Sequence, residues 1–324
     1  MAFRLRDKAS IVSITDLNRT LAEDVAARCG IEEVASSAAE VIADPRVEAV
    51  LVCASTNFHT EILIAAAEAG KQIFCEKPLD VSLAKIDTVL EAVKKAGVNK
   101  KTGVKLMVGF NRQFDPNYAR VRRAIVSGEI GTPHIMHIMS RDPAPPPLAY
   151  VRVSGGIFLD MTIHDFDMAQ FLMGCEPEEI YTQAAVMVDP AIGEAGDVDT
   201  VVMLLKFKNG VIATIDNSRK AVYGYDQRVE VFGSGGSIST GNCYPNEAVV
   251  STGAEIRRDL PLNFFMERYA QSYANELREF VDCVLEDKPV PVTGADARVP
   301  VVMALAAMKS RRERRPVKLS EVTT

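Results

Sequence analysis

No run in the sequence approaches the ~20 consecutive apolar residues that cross a bilayer, and the N-terminus has no apolar signal core. Both absences point away from the membrane. No C-x-x-C pair occurs among the six cysteines, Cys29, Cys53, Cys75, Cys175, Cys243 and Cys283. Thiols scattered in this way predict a reduced, cytoplasmic protein rather than a disulfide framework. The four histidines do not cluster at ligand spacings, so no metal site is expected. Charge of one sign is also in short supply: a formal net charge of −6 over 324 residues gives no reason to expect nucleic acid or an anionic membrane as partner. Finally, no G-x-G-x-x-G precedes Ile11. The one tight glycine cluster, "GSGGS" at Gly233 to Ser237, lies between strand-like runs and reads as a hairpin.

What is present is ordinary for a globular protein of two domains, with 48% hydrophobic and 25% charged residues. Up to about residue 110, short apolar runs alternate with helical patterns. "ASIVSITD", "VEAVLVCAS", "KQIFCEKP" and "VKLMVGF" read as strands. "NRTLAEDVAARCG", "SSAAEVIAD", "HTEILIAAAEAG" and "SLAKIDTVLEAVKKAG" read as helices, two of them stopped at Gly30 and Gly70. This alternation predicts βαβ units and a Rossmann-like, doubly wound parallel sheet over residues 1–110. The opening "MAFRLRDKA" reads as the end of a helix, so the first strand and glycine-rich turn of such a domain are expected to be missing. The segment from Asn99 to Val104 reads as a solvated insertion that lengthens one connection.

After Asn111 the pattern changes. A helix over "DPNYARVRRAIVSGEIG" leads to "PHIMHIMSRD", a Pro-rich loop and then consecutive strand-like runs, with "KNG" as a hairpin turn. Residues 111–324 are therefore expected to form an α+β domain with a large, mainly antiparallel open sheet. The last two helical segments are expected on that sheet or back on the first domain. A sheet face of this size would suit self-association.

Several residues could carry chemistry. Asp16 ends the first strand, where an acid either accepts from ribose hydroxyls and disfavours a 2′-phosphate, or caps the following helix. Ser55, Thr56 and Asn57 would lie at the carboxyl end of the sheet, where such folds bind ligands. His59 is expected on the surface. Glu76 and Lys77 end a buried strand at the same crevice, and ionic groups there are costly unless solvated or used. Arg112 follows the last parallel strand. Asp160 and His164 stand four apart in the apolar stretch "GGIFLDMTIHDFD", so one helix would put both on one face. That pair reads either as a proton acceptor with its neighbour or as a core histidine satisfied by an acid, and a metal site lacks a further ligand. Asp165 and Asp167 are expected to point outward or cap. Tyr223, Tyr225, Tyr269 and Tyr273 could offer hydroxyls to a polyol or serve as core aromatics with a wet edge.

Taken in series, Glu76–Leu79 ("EKPL"), Gly109–Tyr118, Gly155–Phe171 and Tyr223–Gly233 make the chain resemble the glucose–fructose oxidoreductase/inositol dehydrogenase/MocA-type family over nearly its whole length. The resemblance is strongest to the inositol 2-dehydrogenase branch. It implies NAD as cofactor, oxidation of myo-inositol to the 2-ketone, and dimers or tetramers. By similarity, Lys77, Asp160 and His164 would be the catalytic set, with His164 as general base. Asp16, Ser55, Thr56, Asn57, Glu76 and Lys77 would face the cofactor, and Arg112 and Tyr225 the substrate. Against the family pattern, about twenty residues carrying the first strand and turn are expected to be absent here, as from a start placed too far downstream or a shortened chain. The alternatives are a related sugar or inositol-isomer dehydrogenase, or a sugar-binding relic.

Overall fold

The computed structural model describes residues 7–98 and 103–322. They fall into two compact units, one of residues 7–98, 103–110 and 273–298, the other of 111–272 and 299–322.

The first unit opens with β1 (Ser13–Ile14), α1 (Arg19–Cys29), β2 (Glu33–Val34) and α2 (Ala38–Ala43). It continues with β3 (Ala49–Val52), α3 (His59–Glu68), β4 (Gln72–Glu76), α4 (Leu83–Val98) and β5 (Leu106–Gly109). Strands β3, β4 and β5 form a parallel sheet in that order, while β1 and β2 form a separate parallel pair. Of the strand read at "ASIVSITD", only Ser13 and Ile14 are in the ladder. The partner β2 is too short to leave a periodic signal, and sequence reading misses it.

In this sheet β4 and β5 are near-continuous buried apolar runs, as parallel strands covered on both faces are, while Leu51 on β3 stays 51% exposed. Ile73, Phe74, Cys75, Met107 and Val108 are all at most 2% exposed. Each large side chain buried in this way contributes about 1.5–3 kcal/mol. At the end of β5, a Cβ on Gly109 would come within 3.1 Å of the Phe74 ring and 3.3 Å of Glu76 Oε2, so only glycine fits without displacement there. Helix α1 ends where Gly30 takes a left-handed conformation, φ 64°, and closes the cap. Of the insertion expected from Asn99 to Val104, residues 99–102 lie outside the described residues. Gly103 and Lys105 are tied to the sheet through the Gln72 side chain.

The second unit starts with α5 (Pro116–Val126), capped by Asp115 with proline at its first position. There follow β6 (Pro133–Arg141), α6 (Leu148–Val151), α7 (Gly156–Asp160), α8 (Ile163–Met173), β7 (Pro177–Ala185) and α9 (Pro190–Glu194). Strands β8 (Thr200–Phe207), β9 (Ile212–Ser218), β10 (Asp226–Gly233) and β11 (Gly236–Thr240) come next, then the small hairpin β12 (Val249–Ser251) and β13 (Ile256–Arg258). The chain ends with α10 (Phe265–Arg268), α11 (Ala270–Leu285), α12 (Gly294–Glu313) and β14 (Val317–Lys318). A seven-stranded sheet has the order β11-β10-β6-β9-β8-β7-β14, and every pairing but β6 with β9 is antiparallel. The large, mainly antiparallel sheet is as expected.

Strand β8 alternates buried and exposed residues, the mark of a sheet with one covered face. On the other face Phe232 pairs with Ile135, and Ile135 with Ile212, so three apolar side chains stand in one row across β10, β6 and β9. They are 47%, 41% and 48% exposed, and Val202 and Leu204 are similarly open on β8. Residues 273–298, carrying most of α11 and the start of α12, complete the first unit. Phe280 packs on Phe74 with ring centroids 5.8 Å apart, and Val108 N–H donates to the Val292 carbonyl.

Candidate active site

In the first unit the candidate residues gather at the carboxyl ends of the parallel strands. Ser55, Thr56 and Asn57 follow β3, with Thr56–Phe58 forming a single 3₁₀ turn into α3. The Lys77–Pro78 peptide after β4 is cis. His59 is not on the surface but 1% exposed. Its Nδ1 lies 2.9 Å from the Pro78 carbonyl oxygen and its Nε2 2.8 Å from that of Ala54. Carbonyls just past strand ends have lost their ladder partners, and an imidazole N–H can donate to one of them. The expectation of an exposed His59 failed because strand-end carbonyls leave no local sequence signal.

Burial pushes the Glu76 carboxyl above its usual range, and the neighbouring Lys77 charge opposes that push. Glu276, on α11, is 1% exposed, and its Oε2 has no hydrogen-bond partner among the described residues. Burial, reinforced by the charge of Glu76, pushes its carboxyl up to about 9. Sequence reading missed Glu276, although a signal exists: with Ser272, Phe280 and Cys283 it occupies the buried stripe of α11.

Asp16 is exposed beyond β1 and does not cap α1, where Asn18 is the N-cap. One Asp16 oxygen takes the Asn18 N–H at 2.7 Å. A carboxylate has further acceptor sites, which suit a ribose diol. Together with the hydroxyl and amide side chains after β3 and the Cβ-free position at Gly109, the donor set at these strand ends fits the ribose and nicotinamide portions of a dinucleotide.

In the second unit Asp160 and His164 do not share a helix. Asp160 is the last residue of α7 and His164 lies in the first turn of α8. Between them Met161 and Thr162 both return their N–H groups to the Ile157 carbonyl, at 3.0 and 2.9 Å, which closes α7 and offsets the next helix. Neither glycine nor proline marks this break. The Thr162 hydroxyl donates to Asn217 Oδ1 at 2.6 Å and pins the junction to β9. Asp160 Oδ1 accepts from the Tyr150 hydroxyl at 2.8 Å, and Asp160 Oδ2 lies 3.0 Å from Arg219 Nη1. His164 is half-buried.

Asp165 and Asp167, expected outside, are 0% and 2% exposed. Asp165 accepts from Arg112 at 2.5 Å, from Ser140 at 2.7 Å and, on its other oxygen, from Asn217 at 2.7 Å. Asp167 accepts from Gln113 at 2.8 Å. Arg112 is thus held in a buried network, with its guanidinium 5.7 Å from the Tyr269 ring centroid. Tyr225 meets Tyr269 edge to face at 6.0 Å. Tyr223 donates to Asp226, and Tyr269 shares its hydroxyl with Tyr118 and Gln227. Tyr225 and Tyr269 are core aromatics, 8% and 2% exposed, whereas Tyr223 is half-buried. Tyr150, Asp142 and Arg219 were not singled out from sequence, since their partners are remote in the chain.

Acceptors at parallel strand ends suit a nucleotide, and the model of the oxidoreductase family with an NAD-binding Rossmann fold matches residues 2–110. The model of the GFO/IDH/MocA C-terminal domain matches residues 118–239, and the chain belongs to the GFO/IDH/MocA family. It is 48% identical over 319 residues to the myo-inositol 2-dehydrogenase of Thermotoga maritima, covering 98% of this chain and 94% of that protein. A solved structure of a probable dehydrogenase from the same organism superposes with a TM-score of 0.95 at 48% identity, covering 99% and 95% of the two chains. The scyllo-inositol dehydrogenase of Lactobacillus casei, solved with bound NAD(H) and scyllo-inositol, gives a TM-score of 0.88 at 25% identity over 96% of this chain and 92% of that one. The family expected from the sequence motifs is the one found. No helix among the described residues is long and apolar enough to cross a membrane.

Proposed function

We propose that this chain oxidises myo-inositol at its 2-hydroxyl to the 2-ketone with NAD as cofactor. The observation that carries the reading is the 48% identity, over 94% of its length, to a myo-inositol 2-dehydrogenase. The Asp160–His164 arrangement supplies the chemistry. When bound, NAD accepts hydride from the carbinol carbon. His164 takes the hydroxyl proton as the carbon–oxygen bond gains double-bond character, since imidazole titrates near neutral pH. Asp160 accepts a hydrogen bond from the substrate and Lys77 donates one, so the reacting hydroxyl is oriented before transfer. Asp16, Ser55, Thr56, Asn57 and Glu76 face the cofactor, and Arg112 and Tyr225 wall the polyol site.

A related inositol isomer is the second reading, favoured by the likeness to a scyllo-inositol dehydrogenase. Free thiols at all six cysteines fit a reducing cytoplasm. The row of Phe232, Ile135 and Ile212 is the face on which a second copy of the chain would pack, giving a dimer or tetramer. The deciding experiment is NADH formation with myo-inositol, scyllo-inositol and related sugars offered in parallel. Turnover highest on myo-inositol is expected. A folded chain that binds NAD and is silent on every polyol would overturn the reading.

A further inference from the structure

Strands β6 and β9 run parallel side by side, and their pairing continues one step past the sheet: Asp142 N–H donates to the Ser218 carbonyl at 2.9 Å, and Ala221 N–H to the Asp142 carbonyl at 2.6 Å. This fixes the backbones of Asp142 and Arg219 beside each other at the carboxyl ends of two central strands. The Arg219 side chain is 3% exposed. Its Nη1 lies 3.4 Å from Asp142 Oδ2 and 3.0 Å from Asp160 Oδ2. One buried cation therefore serves two carboxylates, one on its own sheet and one at the end of α7. Tying the strand ends together needs only the first of these, and the second reaches across to a different element. The other oxygen of Asp160 takes the Tyr150 hydroxyl. The Asp160 carboxylate is thus gripped on both oxygens, by a hydroxyl on one and a guanidinium on the other, which sets its orientation.

We propose that Arg219, braced by Asp142, is a positioning residue of the polyol site: it holds the Asp160 carboxylate in one orientation and compensates its charge. This rests on the reading of Asp160 and His164 given above. In this role Arg219 acts through Asp160 rather than on the substrate itself. Its work is geometric, and geometry at this site is costly to lose, because a misplacement of about 1 Å can lower a rate ~100-fold. A guanidinium suits the task better than an ammonium, because it is always charged, rigidly planar and less strongly hydrated, and so tolerates burial beside two carboxylates.

The test compares the wild-type chain with Arg219→Ala, Arg219→Lys and Asp142→Asn. NAD affinity and thermal unfolding are measured first, followed by kcat and KM for myo-inositol. In Arg219→Ala, kcat is expected to fall ~100-fold, with NAD affinity unchanged. Methylguanidine added at millimolar concentrations should restore part of kcat in a saturable way, whereas methylamine should not. Arg219→Lys should fall between the two, and Asp142→Asn should lose less than Arg219→Ala, because the Asp160 contact survives. An Arg219→Ala chain that is folded, binds NAD and turns over within about threefold of wild type would overturn the proposal, as would a loss of kcat that methylguanidine does not relieve. Should Arg219→Ala fail to fold, the kcat of Arg219→Lys and Asp142→Asn carries the test. A crystal structure of Arg219→Lys reads the Asp160 side-chain torsion directly and does not depend on turnover. An unmoved Asp160 with depressed kcat would also refute the positioning role, while a wild-type chain silent on myo-inositol would refute only the substrate reading.

Discussion

Arg112 donates to Asp165 at 2.5 Å with both side chains withdrawn from solvent, and Asp165 spends its other oxygen on Asn217. An ion pair of this kind is weak evidence for stability as a pair, but removing one member strands the other. Arg112→Met is expected to lower unfolding free energy by about 3–5 kcal/mol, read by urea titration. The double variant Arg112→Met with Asp165→Leu should recover a large part of the loss. A single variant as stable as the parent would show that Ser140 and Asn217 suffice for the carboxylate.

Glu276 makes the stability of the protein depend on pH in a defined direction. Its folded value of about 9 lies above the unfolded 4.5, so between those limits the native state holds a proton that the unfolded chain has released. Stability contributed by this group is therefore complete below pH 4.5 and is lost as pH rises toward 9, with a slope of about 1.4 kcal/mol per pH unit. Glu276→Gln should flatten the alkaline fall in melting temperature and raise the melting temperature at pH 8. Identical pH profiles for the two proteins would show that Glu276 is ionised at neutral pH.

His164→Ala should reduce inositol oxidation by about 100-fold or more, with NAD binding retained by calorimetry. Loss of cooperative unfolding in place of lost turnover would assign His164 to the core.

Asp16 is expected to set cofactor preference, since a carboxylate repels a 2′-phosphate. The wild-type chain should prefer NAD, and Asp16→Ser should move the NAD/NADP ratio of kcat/KM toward NADP by roughly tenfold, about 1.4 kcal/mol. An unchanged ratio would remove Asp16 from the ribose site.

The outer face of the large sheet gives a physical prediction for assembly. Ile212→Asp places a charge in the middle of the row formed with Ile135 and Phe232. Light scattering on the wild type should show an oligomer, and on Ile212→Asp a smaller species. A wild-type monomer would leave that face for another purpose.

What the sequence showed plainly was whatever depends on neighbours. The buried runs of β4 and β5 announced a parallel sheet, Gly30 stopped α1, and "KNG" turned β8 into β9. Distance along the chain hid the rest. Asp165 looked like a surface acid because its partner Arg112 stands 53 residues away, and Arg219 went unnoticed because Asp142 and Asp160 lie 77 and 59 residues before it. The break between α7 and α8 was invisible for another reason. It arises where two N–H groups share the Ile157 carbonyl, and such a junction needs no glycine or proline. Candidate residues could thus be picked by type and spacing, but their bracing could not.

The segment 273–298 belongs to the nucleotide-binding unit although more than 160 residues of the other unit separate it from Phe110. Phe280 fills the space beside Phe74, Val292 extends the hydrogen bonding of β5, and Arg298 holds Asp87 through two bonds. During synthesis residues 7–110 therefore leave the ribosome with one flank of their core uncovered, and that flank is closed only after residues 111–272 have been made. This unit is finished late, and a nascent chain arrested before residue 273 would display an apolar surface that residues 273–298 otherwise hide.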